Sequence, residues 1–130
     1  MRSLIPQDKH DIKTAEAAIK AGYPAVEPVL PELLEWMQDL NWPVAKVLAP
    51  FLASIGRPLV PHLEKIFATD DETWKYWIIN DIISESEELA AALRNELERI
   101  AYAPTEIELE EEINEDARAV LKKFGWLTLT

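Results

Sequence analysis

Two short stretches hold the residue types from which a reactive site is usually assembled. Asp8-Lys9-His10-Asp11 sets a histidine between carboxylates, a pairing that can relay a proton or hold a metal ion. The run EIELEEEINED, residues 106–116, packs seven carboxylates into eleven residues, enough negative charge to attract calcium. Neither pattern is complete. A zinc site needs three or four convergent ligands, and neither His10 nor His62 has such a set nearby in the sequence. A calcium loop alternates Asp or Asn ligands around a central glycine, which the acidic run lacks. The simpler expectation is that Asp8 caps a helix and that the acidic run is a solvated linker. With no cysteine there is no thiolate nucleophile or thiolate metal site, and three scattered glycines make no phosphate-binding loop. The sequence therefore predicts no catalytic residue, no metal and no cofactor, and the chain is read as a non-enzyme.

Charge narrows the partners. The chain of 130 residues has 13 basic and 24 acidic side chains, a net charge of -11. Nucleic-acid binding needs lysine and arginine to replace counterions along the phosphates, so no nucleic-acid partner is expected. The same field repels anionic membranes and attracts basic proteins. Hydrophobic residues make up 48% of the sequence, too many for a disordered chain. No stretch approaches a membrane span and the N-terminus has no apolar segment of signal-peptide length. A cytoplasmic protein is the expectation, with a protein partner of basic character.

Helical periodicity has to position whatever the surface offers. Val26, Val29, Leu30, Leu33, Leu34 and Met37 form one apolar stripe at the helical repeat. Leu59, Leu63, Ile66 and Phe67 form a second, and Leu89, Leu93, Leu97 and Ile100 a third. Helices are predicted at about 9–21, 28–38, 42–55, 59–68, 72–84, 86–102 and 115–124. Thr69 with Glu72 and Ser84 with Glu87 have capping-box spacing. Asp8, Asn41 and Asn114 are expected N-caps, and Gly22, Gly56 and Gly125 expected helix ends. Only Trp126 to Thr130 alternate in a manner that could suit a strand.

A longer period runs through these helices. Gly22-Tyr23-Pro24-Ala25-Val26 matches Gly56-Arg57-Pro58-Leu59-Val60 at an offset of 34 residues. The same offset carries Val44 to Ile78, Leu48 to Ile82, Leu63 to Leu97 and Ile66 to Ile100. Helix pairs repeating at this length mark an α-solenoid, in which each pair buries its apolar face against the next. Pro50 lies in mid-helix, ahead of Gly56 and a proline-led second helix, PLVPHLEKI. That unit resembles a HEAT repeat, although the first and third pairs have no counterpart to Pro50. The expected fold is all-α: a short HEAT-like α-solenoid of three helix pairs, about 9–38, 42–68 and 72–102. A terminal helix at about 115–124 completes a single domain spanning 1–130.

The segments LIPQDKHD, GYPAVEPVLPELLEW, LNWPVAKVLAPFLASIG, PLVPH and WKYWII together resemble a small bacterial family of HEAT-like domains of unknown function. The resemblance spans about residues 4–104 and implies a fold, with no catalytic residue or ligand to carry over.

Tryptophans supply the candidate contact surface. On a helical wheel from Glu72, Tyr76, Ile78, Ile79, Ile82 and Ile83 share an arc, with Lys75 snorkelling among them. Trp74 and Trp77 fall outside that arc, and Trp42 lies off the stripe of its own helix. Indoles so placed either fill the seams between repeats or anchor a partner. The second helix of each pair would line a concave face that is mostly acidic with a small basic centre. Its candidate partner-binding residues are Glu27, Glu35 and Asp39, then His62 and Lys65, then Glu88 and Arg94, beside Trp42, Trp74 and Trp77. A protein-interaction module is the leading functional expectation. An immunity-type inhibitor of a basic toxin is a narrower version of it. An enzyme on a HEAT-like frame, of the DNA-glycosylase or chromophore-lyase type, is the rival, and the charge of -11 opposes it.

Overall fold

A computed structural model describes residues 4–127, so Thr128 to Thr130, most of the alternating tail, lie outside the described residues. Within them the chain is helical, with no strand. The α-helices are α1 (Ile12–Ala21), α2 (Leu30–Glu35), α3 (Pro43–Ile55), α4 (Val60–Phe67) and α5 (Glu72–Asp81). There follow α6 (Glu87–Ala92), α7 (Arg94–Tyr102), α8 (Glu106–Glu110) and α9 (Ile113–Lys123). Short 3-10 turns flank α2 and precede α4 and α6.

The apolar stripes become one buried cluster. Leu30, Leu33, Leu34 and Met37 meet Val44, Leu48 and Leu52 there, and Leu59, Leu63, Ile78, Ile82, Leu97 and Leu121 continue it. α1 packs on α3, α4 and α3 both touch α5, and α5 and α7 are covered by α9. No single helix among the described residues is long and apolar enough to cross a membrane. The chain turns by 109° between α3 and the segment Arg57–Phe67. Gly56 makes that corner with φ +77°, a left-handed conformation open to glycine at little steric cost. α3 itself continues through Pro50 to Ile55.

Helix starts differ from the expected caps. Asp11, rather than Asp8, caps α1, accepting from the Thr14 amide at 3.2 Å and the Gln7 amide at 3.0 Å. Those donors favour the Asp11 carboxylate and lower its pKa. Asp71, rather than Thr69, caps α5 by accepting from the Trp74 amide at 3.1 Å. The Thr69 hydroxyl instead donates to the Ile66 carbonyl at 2.7 Å, closing α4. Ser86, rather than Ser84, caps α6 through the Leu89 amide at 3.2 Å. Trp42 precedes α3 with no side-chain cap, and Pro43 opens the helix where its missing N–H leaves no helical bond unmade. Asn41 does not cap. Nor does Asn114: α9 begins after Glu112, which sits left-handed at φ 60°. The predicted helix 86–102 is broken at Leu93, and the predicted 72–84 ends as α-helix at Asp81.

Candidate functional site

Three hollows along the faces of α2 and α5 receive the candidate residues unevenly. The first, about 210 Å³, is lined by Pro31, Leu34 and Glu35 of α2, His62, Lys65 and Ile66 of α4, and Thr69 and Trp74. It unites four candidates from three helices: Glu35, His62, Lys65 and Trp74. Trp74 is fixed there by its indole N–H, which donates to the Leu34 carbonyl at 3.0 Å. The cleft thus has an apolar floor with one acidic and two basic side chains at its rim.

Trp42 lies in a second hollow of about 280 Å³ with Ile5, Glu32, Glu35, Trp36 and Gln38. The Trp36 and Trp42 rings meet edge to face, centroids 5.6 Å apart at 77°, a favoured arrangement for aromatic quadrupoles. Glu35 belongs to both hollows, so α2 forms the ridge between them. The Oε2 atom of Glu32 is buried and has no hydrogen-bond partner among the described residues.

Trp77 lines a third hollow of about 250 Å³ with Glu72, Thr73, Tyr76, Glu111 and Ile113. Its ring meets Tyr76 edge to face at 4.9 Å. Tyr76, placed with the core arc by the helical wheel, is 40% exposed, because α5 turns its Ile78–Ile79 side inward instead.

The remaining candidates lie elsewhere, mostly in structural roles. Glu27 is exposed beside Tyr23, whose hydroxyl pKa is raised by partial desolvation and by the Glu27 carboxylate. Asp39 accepts from the Asn41 amide at 2.8 Å in the turn before α3. Glu88 accepts from the Arg57 amide at 3.0 Å, tying α6 to the corner that opens α4. A Cβ at position 56 would collide with that same carboxylate. Arg94 pairs with Glu98 at 3.3 Å and lies 5.1 Å above the Trp126 ring. Trp126 donates its backbone N–H to the Leu121 carbonyl at 2.7 Å, so the tail is folded against α7 and α9 as far as Leu127.

The most consequential polar cluster is one the sequence reading missed. The acidic run is largely helical rather than an open linker, and although Glu106, Glu110, Glu111, Glu112 and Glu115 are exposed as expected, one carboxylate is not. Its first part is α8, opened by a capping box between Thr105 and Glu108, and Glu108 is fully buried. Glu108 accepts from Lys75 Nζ at 3.2 Å, Arg99 Nη2 at 2.8 Å and the Thr105 amide at 2.9 Å. Lys75 also reaches Glu72 at 3.1 Å, and Arg99 reaches Glu96 at 3.0 Å. Lys75 does not snorkel: it is 2% exposed, with its ammonium held between two carboxylates. Burial by itself would raise the Glu108 carboxyl, but the hydrogen bonds from Arg99, Thr105 and Lys75 outweigh it and bring the pKa down to about 2. The capping-box spacing Thr105 to Glu108 is the one local signal of this role. The partner Lys75 is 33 residues away, beyond any local pattern.

Among the described residues no group of three or more His, Cys, Asp or Glu is arranged to hold a metal ion. His10 is exposed and donates its amide to Asp8 at 2.8 Å, a turn contact.

No curated protein matches the chain. The model of one family, described as a domain of unknown function (DUF5071), matches residues 4–121. That match takes in α1 to α8 and nearly all of α9, with every candidate residue above, and the chain belongs to this family.

Proposed function

We propose that the chain is a non-enzymatic protein-interaction module, built as a short HEAT-like solenoid, that holds a basic protein partner across α2, α4 and the start of α5. The observation that carries this reading is the cleft of about 210 Å³ between α2 and α4. It joins the second helices of the first two predicted pairs, the position at which repeat folds present a binding face. Its floor of Leu34, Ile66 and Trp74 is apolar, with a tryptophan already ordered by its bond to Leu34. Preordered aromatic area loses little entropy on binding, and the acid surplus of the whole chain steers cationic partners toward it.

The test uses two exposed rim residues whose replacement leaves the core intact. Proteins retained by the wild type in source-cell lysate are compared, by quantitative mass spectrometry, with those retained by Glu35→Arg and Lys65→Glu. Exposed Lys20, on α1, serves as a control through Lys20→Glu. A basic protein depleted about tenfold by Glu35→Arg and kept by Lys20→Glu supports the reading. Equal retention of every partner by all four proteins overturns it.

A further inference from the structure

We propose that the cleft between α2 and α4 receives the last residue of a partner chain, with an apolar side chain on the floor and its α-carboxylate against His62 and Lys65. The inference deepens the protein-binding reading and rests on it for the source of the ligand. Charge is sorted across α4. His62 and Lys65 line the cleft, whereas Glu64, the acid between them, lines a separate hollow with Asp70 and Glu96. In a chain of net charge -11, the α4 wall of this cleft is therefore basic. Neither group is already occupied. Ion pairs among the described residues use Lys75, Arg94 and Arg99, and none includes His62, Lys65 or Glu35. Side chains three apart on a helix are neighbours. An imidazole has an N–H to donate in either charge state, and an ammonium has three. Such a pair complements an oxyanion, which accepts charge-assisted hydrogen bonds.

The floor sets what that anion must carry. Leu34 and Ile66 are buried there, and Trp74 is held by its bond to the Leu34 carbonyl, so the surface beneath the basic wall is apolar and fixed. The volume, about 210 Å³, falls below the roughly 300 Å³ at which small-molecule pockets usually begin. It suits one side chain. An apolar residue at a chain end fits both surfaces at once, because its carboxylate sits on the same Cα as the side chain. An interior Asp or Glu carries its charge on the stem that would otherwise fill the floor. Glu35 gives the ligand a direction. From the α2 wall it repels the carboxylate toward α4 and favours a basic chain leaving over α2. A partner that is basic overall and anionic at its last residue matches both walls.

The experiment follows the indole N–H resonance of Trp74 in the full chain by NMR, assigned through Trp74→Phe. The probe is a short acetylated glycine peptide ending in leucine with a free carboxylate, and it is expected to shift that resonance saturably. Converting the terminus to an amide should weaken binding about tenfold, the loss expected for a charge-assisted hydrogen bond. Lys65→Gln should weaken the free-carboxylate peptide to a similar degree. Glu35→Gln removes the opposing acid and should bind the peptide as tightly as the wild type or more so. A circular-dichroism melt confirms that each variant is folded. An unshifted Trp74, equal binding of the amide, or a loss in Glu35→Gln as large as in Lys65→Gln would overturn the site. An amidated peptide with an internal leucine-aspartate pair that binds equally well would move the carboxylate to a side chain and overturn the terminus. Isocaproate, the leucine skeleton without its peptide amide, is expected to bind more weakly; equal affinity would assign the cleft to a small acid and overturn the protein source. The two readings fail separately. Indifference to amidation, while Glu35→Arg still removes a basic protein from the lysate, overturns the terminus alone. Terminus-dependent binding with every lysate partner retained overturns the protein-binding reading alone.

Discussion

The carboxylates of Glu108 and Glu32 are both drawn toward the protein interior, and they meet opposite fates. Glu108 is surrounded by Lys75, Arg99 and a capping amide, so its desolvation is offset by charge-assisted hydrogen bonds. Glu32 lies beside two tryptophans with an oxygen that no described residue answers. A buried acid with internal partners acts as a structural link, here joining α5, α7 and α8. One without them is a cost to folding, of about 1–3 kcal/mol. The acid surplus of the chain is therefore divided between charge used to hold helices together and charge that no described residue pairs.

The comparison breaks most readily at its structural end. Glu108→Ala and Lys75→Ala each take one partner out of the buried network and should lower the stability by about 3 kcal/mol, read from urea unfolding followed by circular dichroism. A loss below about 1 kcal/mol would show the network to be incidental. Acid gives the next largest effect. The folded pKa of Glu108, about 2, lies below its ordinary value of 4.5, so its stabilisation is fully present above that ordinary value. It fades as the pH falls toward about 2. Roughly 3 kcal/mol of stability should disappear across that window, and Glu108→Gln should flatten the slope there.

Glu88 is an intermediate case, exposed but bonded to the Arg57 amide. Glu88→Ala should cost about 0.5–1.5 kcal/mol in the same unfolding measurement. Glu32→Gln is the smallest change expected. Its stability should stay within about 0.5 kcal/mol of the wild type or rise slightly, since removing an unanswered charge relieves a penalty. A loss of about 2 kcal/mol in this variant would place Glu32 with Glu108 and erase the distinction.

What could be read in advance follows the range of the interactions. The apolar stripes such as Leu30, Leu33, Leu34 and Met37 depend on spacing within one helix, and each falls on helix, although the stripe from Leu89 to Ile100 is divided between α6 and α7 at Leu93. Caps fall two or three residues from the expected Asp8, Thr69 and Ser84, because several acceptors compete at each start and the chain beyond decides which wins. At α5 the charged Asp71 takes the Trp74 amide, and Glu72 is drawn away to Lys75. The acidic run shows the limit most plainly. Seven carboxylates look alike in sequence, and only Lys75 and Arg99, brought in by the packing of α5 and α7, select Glu108 for burial. Of the candidate residues, Glu35, His62, Lys65 and Trp74 converge because α2, α4 and the start of α5 border one cleft. Glu88 and Arg94 are occupied by Arg57 and Trp126, contacts that no periodicity announces.

The corner at Gly56 is closed to larger residues by its own backbone. Its φ of +77° strains any L side chain whatever the room around it. The Glu88 carboxylate occupies the place a Cβ would take, but it is the movable end of a flexible side chain. Trimming position 88 would therefore free the space and leave the strain, so the conformation at 56, and not its neighbour, is what holds glycine there.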